Sequence, residues 1–356
     1  MSGSEPDLSI AVWTVAAATG VSSAGQGTIA PVGEVFAGRY ELVDLLGTGG
    51  MGSVWRAWDR RDSTYVAAKV LGQTDAASML RFLREQSHRV QHPHVVTPIS
   101  WAGEDDRVLF TMPLVRGGTV ATLLGDYGRL PPPWVHSLLD QLLDALTAVH
   151  GAALVHRDVK PSNLLLEPTG TGRPYLRLSD FGIASADHLE RLTLAGQVVG
   201  TPGYLAPELL AGAAPAPRQD LYAAGLVAAT MLGGNPPDVP LPLEPPAGCP
   251  DGLWQVTRSL GEPDPDRRPR DAAAARALLH VATPTWAARH DIEVFDQLPP
   301  LPDGWSEGGP VGRPPATPVA PPTSPSRPGR SAIWPALVLG IAGLALLVAA
   351  ILLLTG

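Results

Sequence analysis

The sequence predicts an α+β protein in which strands precede helices, followed by a separate apolar helix at the carboxyl end. Residues 39–46, 53–59 and 64–71 are rich in Val, Leu, Trp and Tyr and are separated by turn residues, a pattern typical of strands. Residues 134–154 form a longer apolar segment, which predicts a helix. Residues 332–354 form an uncharged, mostly apolar run of 23 residues. These three observations give the order of the elements along the chain.

The composition excludes several classes of protein. Of the 356 residues, 45% are apolar and 17% are charged, which excludes a chain that is disordered throughout. The formal net charge of −8 argues against a dedicated nucleic-acid binder, so no nucleic-acid partner is expected. Cys249 is the only cysteine, which excludes an internal disulfide framework or a multi-cysteine zinc site and fits a reducing compartment.

The chain divides into four regions. Residues 1–36 are mostly small and polar, and we expect them to be a disordered extension. Residues 37–282 contain the strand and helix patterns and predict the folded domain. Residues 283–331 predict a linker, because residues 296–330 contain 11 prolines with Ser, Thr and Gly between them. Such a segment is a semi-extended tether or a ligand for a proline-binding module. Residues 332–354 predict a transmembrane helix.

The apolar run predicts attachment to the cell membrane. As a helix, residues 332–354 span about 34 Å, against a hydrocarbon core of about 30 Å. Arg327 and Arg330 precede the run, so the positive-inside rule predicts a cytoplasmic folded domain and a carboxyl terminus at the outer face. Because only residues 355–356 follow, we expect a single-pass tail anchor. The alternative is a buried core helix.

Small residues within this run leave homodimerisation open. Ala336 and Gly340, and Ala345 and Ala349, lie four positions apart, the spacing of a helix-pairing face in membranes. The alternative is that this spacing arises by chance.

A glycine-rich turn separates the first two predicted strands. Residues 47–54 read Gly-Thr-Gly-Gly-Met-Gly-Ser-Val. The pattern also occurs in ordinary glycine hairpins and in dinucleotide-binding turns, but a strand follows it here and not a helix, which counts against dinucleotide binding. Glycines at this spacing let backbone N–H groups approach phosphate oxygens closely. We therefore expect a phosphate-binding turn, with Val54 covering an apolar ring.

One lysine lies inside the third predicted strand. A lysine in an apolar strand is costly to bury unless it is paired, so the alternative is a surface lysine whose amine reaches solvent. Alternation along a strand places Ala67 and Lys69 on the same face. That face could offer a small residue to a base and a cation to phosphates.

Two polar segments follow the long apolar helix. Residues 156–163 read His-Arg-Asp-Val-Lys-Pro-Ser-Asn, and residues 180–182 read Asp-Phe-Gly, with Asp180 lying 22 residues after Asp158. Acidic groups together with an asparagine are what magnesium ions on a polyphosphate require. Each segment alone could be an ordinary loop, but their order and spacing together indicate a phosphate-transfer site.

With these motifs in this order, the sequence resembles the protein kinases, most closely the eukaryotic-like serine/threonine kinases of bacteria. The resemblance covers residues 39–280. It implies a bilobal fold with a small β-rich N-lobe containing one key helix, a larger helical C-lobe, and ATP in the cleft between them. The residues that carry it are 47–54, Lys69, Arg84, Glu85, 156–163, 180–182, Gly200, Thr201, 206–208, Asp220, Gly225, Arg268 and Pro269.

The resemblance also implies roles for individual residues. Lys69 would hold the α- and β-phosphates, and Glu85 on the following helix would orient it. Asp158 would accept or orient the proton of the attacking hydroxyl, while Lys160 would stabilise charge on the transferring group. The metal ligands would be Asn163 and Asp180, holding Mg²⁺ or alternatively Mn²⁺. The implied ATP-binding set is Leu46, Gly47, Thr48, Gly49, Gly50, Met51, Gly52, Val54, Ala67, Lys69, Met112, Pro113, Val115 and Leu165.

The implied reaction is transfer of the γ-phosphoryl group of ATP to Ser or Thr of protein substrates, including the chain itself. Lys160, two residues after Asp158, and Thr201 favour Ser/Thr over Tyr acceptors. Thr193 is the only threonine between residues 182 and 200 and is the predicted autophosphorylation site, with Arg157 as partner of the phosphate. The alternative is that Thr193 simply faces solvent.

Two other functions stay open. One is a pseudokinase scaffold at the membrane, against which the intact Lys69, Asp158, Asn163 and Asp180 argue. The other is a small-molecule kinase of the same fold. The segment 201–208 argues against it, because this segment resembles a platform for peptide substrates.

One spacing departs from the family pattern. His92 lies seven positions after Glu85, where the family usually has nine. Either the helix ends early and a loop absorbs the change, which we favour, or Glu85 does not face Lys69 and a partner must reposition the helix. Elsewhere, Glu208 and Arg268 are predicted to form a structural ion pair.

Overall fold

The computed structural model of the chain describes residues 32–49, 52–71, 90–104, 107–180, 202–236, 239, 241–242, 244–282 and 291–312. Several predictions fall on residues outside these ranges. They concern the predicted membrane helix at 332–354 and the residues Gly50, Met51, Arg84, Glu85, Phe181, Gly182, Thr193, Gly200 and Thr201. In the described part of the chain, no helix combines the length and the apolar character that crossing a bilayer requires.

The N-lobe is built on one antiparallel sheet of six strands in the order β1-β2-β3-β4-β6-β5. The three strands predicted near the amino end are confirmed, and the glycine turn joins the first two of them. Val35–Phe36 adds a short edge strand, although it lies in the segment expected to be disordered. The strands are β1 Val35–Phe36, β2 Tyr40–Gly49, β3 Gly52–Asp59, β4 Thr64–Leu71, β5 Ser100–Glu104 and β6 Arg107–Met112.

The N-lobe core lies on one face of this sheet. Alternating residues of the central strands bury large apolar side chains together, as the period-2 pattern of a strand requires. The cluster contains Phe36, Tyr40, Leu42, Trp55, Val66, Val70 and Leu109. Its effect is to hold β4, which carries Lys69, rigidly at the centre of the sheet.

The C-lobe is mainly helical. The long helix predicted at 134–154 is confirmed with slightly earlier bounds, because Pro132 and Pro133 are tolerated in a first helical turn. The helices are α1 Val120–Tyr127, α2 Pro132–Gly151, α3 Pro207–Leu210, α4 Pro217–Gly233, α5 Asp251–Leu260 and α6 Ala272–Ala282. Two short strands, β7 Leu164–Leu166 and β8 Leu176–Leu178, pair with each other. The described lobes thus confirm the bilobal arrangement.

Helix α2 lies at the centre of the C-lobe. Its buried positions include Trp134, Leu138, Leu142 and Leu146, which belong to one large apolar cluster. At the α2–α6 contact, Arg276 and His280 each donate to Oδ1 of Asp140 at 2.6 Å. This core forms a fixed base for the loops that carry the polar residues.

The segment from residue 291 to residue 311 packs on the folded domain, which differs from the linker expected at 283–331. Ile292 and Val294 are buried, and Val294 joins the apolar core of the C-lobe. Further on, β9 Trp305–Ser306 and β10 Gly309–Pro310 form a small hairpin near Trp58. A proline-rich composition predicts an extended backbone, but here apolar and aromatic residues between the prolines find surfaces to cover.

Candidate active site

Lys69 lies in the middle of the N-lobe sheet. Register pairs it with Val54 on β3 and with Phe110 on β6, so its backbone is held from both sides. The residue is only 9% exposed, which excludes the alternative of a solvated surface lysine. Its Nζ lies 2.5 Å from Oδ1 of Asp180. Because a buried ammonium requires a counter-charge, the ion pair explains how the strand accommodates a lysine.

Asp180 follows β8 and reaches the cleft through an unusual backbone conformation. Its φ of +59° lies in the left-handed region, which aspartate adopts more readily than most residues. The preceding Ser179 is fixed, since its N–H and its hydroxyl both donate to the carbonyl of Asn163, at 2.9 and 3.0 Å. The strand end and the turn at Asn163 therefore hold Asp180 in place.

Two side chains contact the carboxylate of Asp158. Asn163 ends a 3-10 turn, Pro161–Asn163, and its Nδ2 donates to both the carbonyl and Oδ2 of Asp158, each at 2.8 Å. Lys160 Nζ lies 2.9 Å from the same Oδ2. These donors orient the carboxylate. Because the amide nitrogen of Asn163 makes both hydrogen bonds, its oxygen is the atom suited to bind a cation.

His156 connects these two groups. The ring accepts from the N–H of Asp158 at Nδ1, 3.3 Å away, so its proton is on Nε2, which donates to the carbonyl of Ser179 at 2.9 Å. The side chain is fully buried, and it bridges the backbone at Asp158 to the residue before Asp180. His156 was not among the predicted site residues, although it begins the polar segment that contains Asp158.

Asp220 of α4 accepts hydrogen bonds from the loop that contains His156 and Asp158. Its Oδ2 accepts from the N–H of His156 and from His150 Nε2, and its Oδ1 accepts from the N–H of Arg157, all at 2.8 Å. Asp220 is 1% exposed. Arg157 has φ of +69°, a strained value for a residue with a side chain. The two charge-assisted hydrogen bonds that this backbone donates to Asp220 offset that strain. Asp220 was not among the predicted site residues, although it is one of the residues that carry the resemblance.

The predicted nucleotide-binding residues surround one region of the cleft. Register places Ala67 opposite Met112, and Leu165 bridges to Thr119 just after the connection between the lobes, residues 113–118. Pro113 and Val115, two members of the implied ATP-binding set, belong to this connection. On the phosphate side, Gly47 pairs with Val54 and Gly49 with Gly52. The described members of the predicted ATP-binding set thus lie on β2, β3, β4, β6, the connection and β7. They are Leu46, Gly47, Thr48, Gly49, Gly52, Val54, Ala67, Lys69, Met112, Pro113, Val115 and Leu165.

Gly52 occupies a position that no other residue could hold without a shift. Its φ is +138°, and a Cβ there would lie 2.1 Å from the carbonyl oxygen of Val70. The close approach lets β3 leave the glycine turn directly against β4. The glycine at this point is therefore required by the packing of β3 against β4.

The polar residues fit a magnesium–nucleotide complex. Asp180 supplies carboxylate oxygens and Asn163 an amide oxygen, both hard ligands of the kind that Mg²⁺ prefers. Among the described residues, no group of three or more His, Cys, Asp or Glu could hold a metal ion by itself. Mg²⁺ commonly binds through one or two protein ligands together with substrate phosphates, so this donor set suits a cation that arrives with the nucleotide.

An ion pair predicted from sequence is confirmed in the C-lobe. Arg268 donates to both carboxylate oxygens of Glu208, at 2.7 and 2.8 Å, and also to three backbone carbonyls. Burial, the largest single influence, raises the pKa of Glu208, but the hydrogen bond from Arg268, a backbone hydrogen bond and the positive charge of Arg268 together leave the pKa lowered. The pair fixes α3, which follows the segment containing Thr201.

Comparison with known proteins agrees with this geometry. A family profile described as the protein kinase domain matches residues 40–239. Serine/threonine-protein kinase PkaA of Streptomyces coelicolor is 36% identical, over 71% of this chain and 51% of the relative. The DNA damage-responsive serine/threonine-protein kinase RqkA of Deinococcus radiodurans is 37% identical, over 73% of this chain and 41% of the relative. Serine/threonine-protein kinase PknA of Mycobacterium tuberculosis is 35% identical, over 70% of this chain and 57% of the relative.

The chain spans about half the length of the curated relatives that it matches. The profile match nevertheless covers more than half of this chain and includes Lys69, Asp158, Asn163 and Asp180. These four residues are the ones that converge on the cleft. The chain belongs to the protein kinase family.

Proposed function

We propose that the protein is a serine/threonine protein kinase that transfers the γ-phosphoryl group of ATP to hydroxyls of protein substrates and of itself. One observation carries the proposal. Lys69 and Asp180 form a pair across the cleft at 2.5 Å, and the buried His156 links this pair to Asp158, where Asn163 and Lys160 converge. A cation, a metal-binding carboxylate and an oriented carboxylate thus lie where a triphosphate would enter.

Each residue has a task in the transfer. The hydroxyl oxygen of Ser or Thr bonds to the γ-phosphorus, the bond to the β,γ-bridging oxygen breaks, and ADP leaves. Asp158 orients the hydroxyl and takes its proton, and Lys160 stabilises charge on the transferring group. Lys69 holds the α- and β-phosphates. Asp180 and Asn163 would hold Mg²⁺, which when bound neutralises charge on the phosphate oxygens.

Serine and threonine are the proposed acceptors. Lys160 lies 2.9 Å from Asp158, close to the point where the hydroxyl would arrive. The names of the three relatives all describe serine/threonine-protein kinases, which supports the same class of acceptor.

A radiolabel assay on the full chain tests the proposal. We expect Asp158→Asn to lower phosphate transfer from γ-labelled ATP by at least about 100-fold, since the loss of a general base commonly has this effect. Asp126→Asn is the matched control, because Asp126 is exposed on α1. Phosphoamino-acid analysis should show phosphoserine or phosphothreonine. Equal labelling by wild type and Asp158→Asn would indicate a contaminating kinase and would favour a scaffold.

We propose further that Thr193 is the autophosphorylation site. Thr193 lies outside the described residues, but Arg157 supports the proposal, since its buried Nε has no hydrogen-bond acceptor within the described part of the chain. A phosphate in the segment after Asp180 would satisfy it. Phosphopeptide mapping after incubation with ATP tests this, and fully active enzyme with unmodified Thr193 would contradict it.

We also propose attachment to the cell membrane through residues 332–354, with the kinase domain in the cytoplasm. The uncharged run and the preceding arginines at 327 and 330 support this orientation. Placing arginines at Ala345 and Ala349 should release the protein from membranes during alkaline extraction, since each charge at the bilayer centre is unfavourable by about 3 kcal/mol. Thr355→Arg, beyond the run, is the control. Cross-linking of the wild type would reveal the homodimer that the small residues allow.

A further inference from the structure

Residues 291–311, which we call the strap, run from the C-lobe past the connection between the lobes to the N-lobe. On the C-lobe, the N–H and the carbonyl of Val294 both bond to Gly170, each at 2.9 Å. Val294 is 1% exposed and packs in the C-lobe core. This end of the strap is therefore fixed to the larger lobe.

The strap next contacts the connection between the lobes. The N–H of Gln297 donates to the carbonyl of Arg116 at 2.8 Å. Nη2 of Arg116 lies 2.7 Å from Oδ2 of Asp296. Arg116 directly follows Val115, which belongs to the implied ATP-binding set. The strap thus bonds to the peptide adjoining the nucleotide site.

The far end of the strap is attached to the N-lobe. Arg56, itself paired with Asp44, donates to the carbonyls of Pro299 and Pro300 at 3.0 and 3.3 Å. The hydroxyl of Tyr65 donates to the carbonyl of Ser306 at 2.7 Å.

An aromatic cluster completes the attachment to the N-lobe. The ring of Trp305 lies with its centroid 6.4 Å from Trp58 and 6.1 Å from Tyr65. Gly309 approaches so closely that a Cβ there would be 2.5 Å from the Trp58 ring. Aromatic pairs of this kind stabilise by about 1 kcal/mol beyond the area that they bury.

We propose that the strap limits the angle between the two lobes, which makes Trp305 and Asp296 positioning residues for nucleotide binding. The two lobes contribute different residues to the nucleotide site, and these residues must be brought together. Only conformers with the correct angle between the lobes therefore bind ATP. The apparent dissociation constant is the intrinsic one divided by the fraction of competent conformers. A segment bonded to both lobes and to their connection raises that fraction. The proposal rests on the kinase function proposed above.

Nucleotide binding by the full chain in detergent tests the strap. We expect Trp305→Ala to raise the Kd for Mg-ATP and the KM for ATP by about threefold to tenfold, with kcat changed less than twofold. Trp305→Phe keeps an aromatic contact, so its Kd for Mg-ATP and its KM for ATP should lie within about twofold of the wild-type values. Asp296→Ala, a milder change, should act in the same direction. Val311→Ala is the control, because this side chain is largely exposed.

Distances between the lobes give a readout that does not depend on activity. Nitroxides at Arg60→Cys and Arg270→Cys, in a Cys249→Ser background, report the lobe separation from exposed positions. Trp305→Ala should broaden the distance distribution, and Trp305→Phe and Val311→Ala should not. Unchanged distances with unchanged Kd and KM, accompanied only by a lower melting temperature, would overturn the proposal. A wild-type chain with narrow distances but no phosphate transfer would instead contradict the kinase function.

Discussion

Nζ of Lys69 and Oδ1 of Asp180 lie 2.5 Å apart although 111 residues separate them in the chain. Lys69 belongs to β4 of the N-lobe, and Asp180 follows β8 of the C-lobe, so the pair joins the two lobes across the cleft. The charges are those that a magnesium-bound triphosphate requires, one for phosphate oxygens and one for the cation. This single contact therefore defines where the polyphosphate would lie.

Removing the cation should abolish phosphate transfer. We expect Lys69→Met to lower kcat/KM by at least about 100-fold, because an oriented positive charge in a low-dielectric cleft has no replacement there. The rate of transfer to a general protein substrate measures the effect. Arg60→Met, at an exposed turn of the same lobe, should leave the rate unchanged. Activity of Lys69→Met within a few-fold of wild type would show that the phosphates bind elsewhere.

Asp220→Asn should weaken both the fold and the reaction. The substitution replaces one carboxylate oxygen with an NH₂ group, so the backbone N–H of either His156 or Arg157 loses the oxygen to which it now donates. We expect unfolding free energy to fall by about 2 kcal/mol, as for a buried donor left unsatisfied. Urea denaturation measures this loss. The value of kcat should fall as well, because Asp158 directly follows the two backbone N–H groups that Asp220 holds.

The control for Asp220→Asn is Asp266→Asn, which removes only an exposed partner of Arg218. Surface ion pairs contribute about 0–1 kcal/mol, so this control should stay near the wild-type value. Equal effects of the two changes would argue against a special role for Asp220.

Two glycines of α4 should respond oppositely to the same substitution. A Cβ at Gly225 would lie 2.4 Å from the backbone nitrogen of Gly261 and 2.8 Å from Leu260, so Gly225→Ala should force α4 and α5 apart. We expect a loss of about 1–3 kcal/mol. Nothing lies within 4 Å of a Cβ at Gly233, where alanine should be neutral or stabilising. Melting temperatures of the two variants measure the difference, and similar values would contradict the packing.

The Glu208–Arg268 pair should make stability depend on pH. Because the folded-state pKa of Glu208 is lowered from its ordinary value of 4.5, the stabilisation is present above that value and is lost as pH falls through the folded pKa. We expect Glu208→Gln to be less stable than wild type at neutral pH, with the difference shrinking as pH falls below the ordinary value of 4.5. Urea denaturation across this range measures it. A difference that stays constant with pH would show that the carboxylate charge is not involved.

The local parts of this fold were predictable because neighbouring residues determine them. The strand at 64–71 was predicted with the bounds that the structure has, since alternating apolar residues between turns specify a strand without distant help. The glycine turn and the helix that begins near Trp134 follow for the same reason. Lys69, Asp158, Asn163 and Asp180 were also identifiable: Lys69 is a cation inside an apolar strand, and the other three are polar residues in motifs whose order and spacing resemble those of protein kinases.

The sequence alone therefore determined the elements, their order and the residue types that bear on the reaction. Only the tertiary structure decided which groups meet: Lys69 with Asp180, Asp220 with the loop before Asp158, and the strap with both lobes. Arg56 and Pro299, for example, are 243 residues apart and share no periodic pattern. A proline-rich segment has the same composition whether it packs or extends, because its burial depends on surfaces that distant residues assemble.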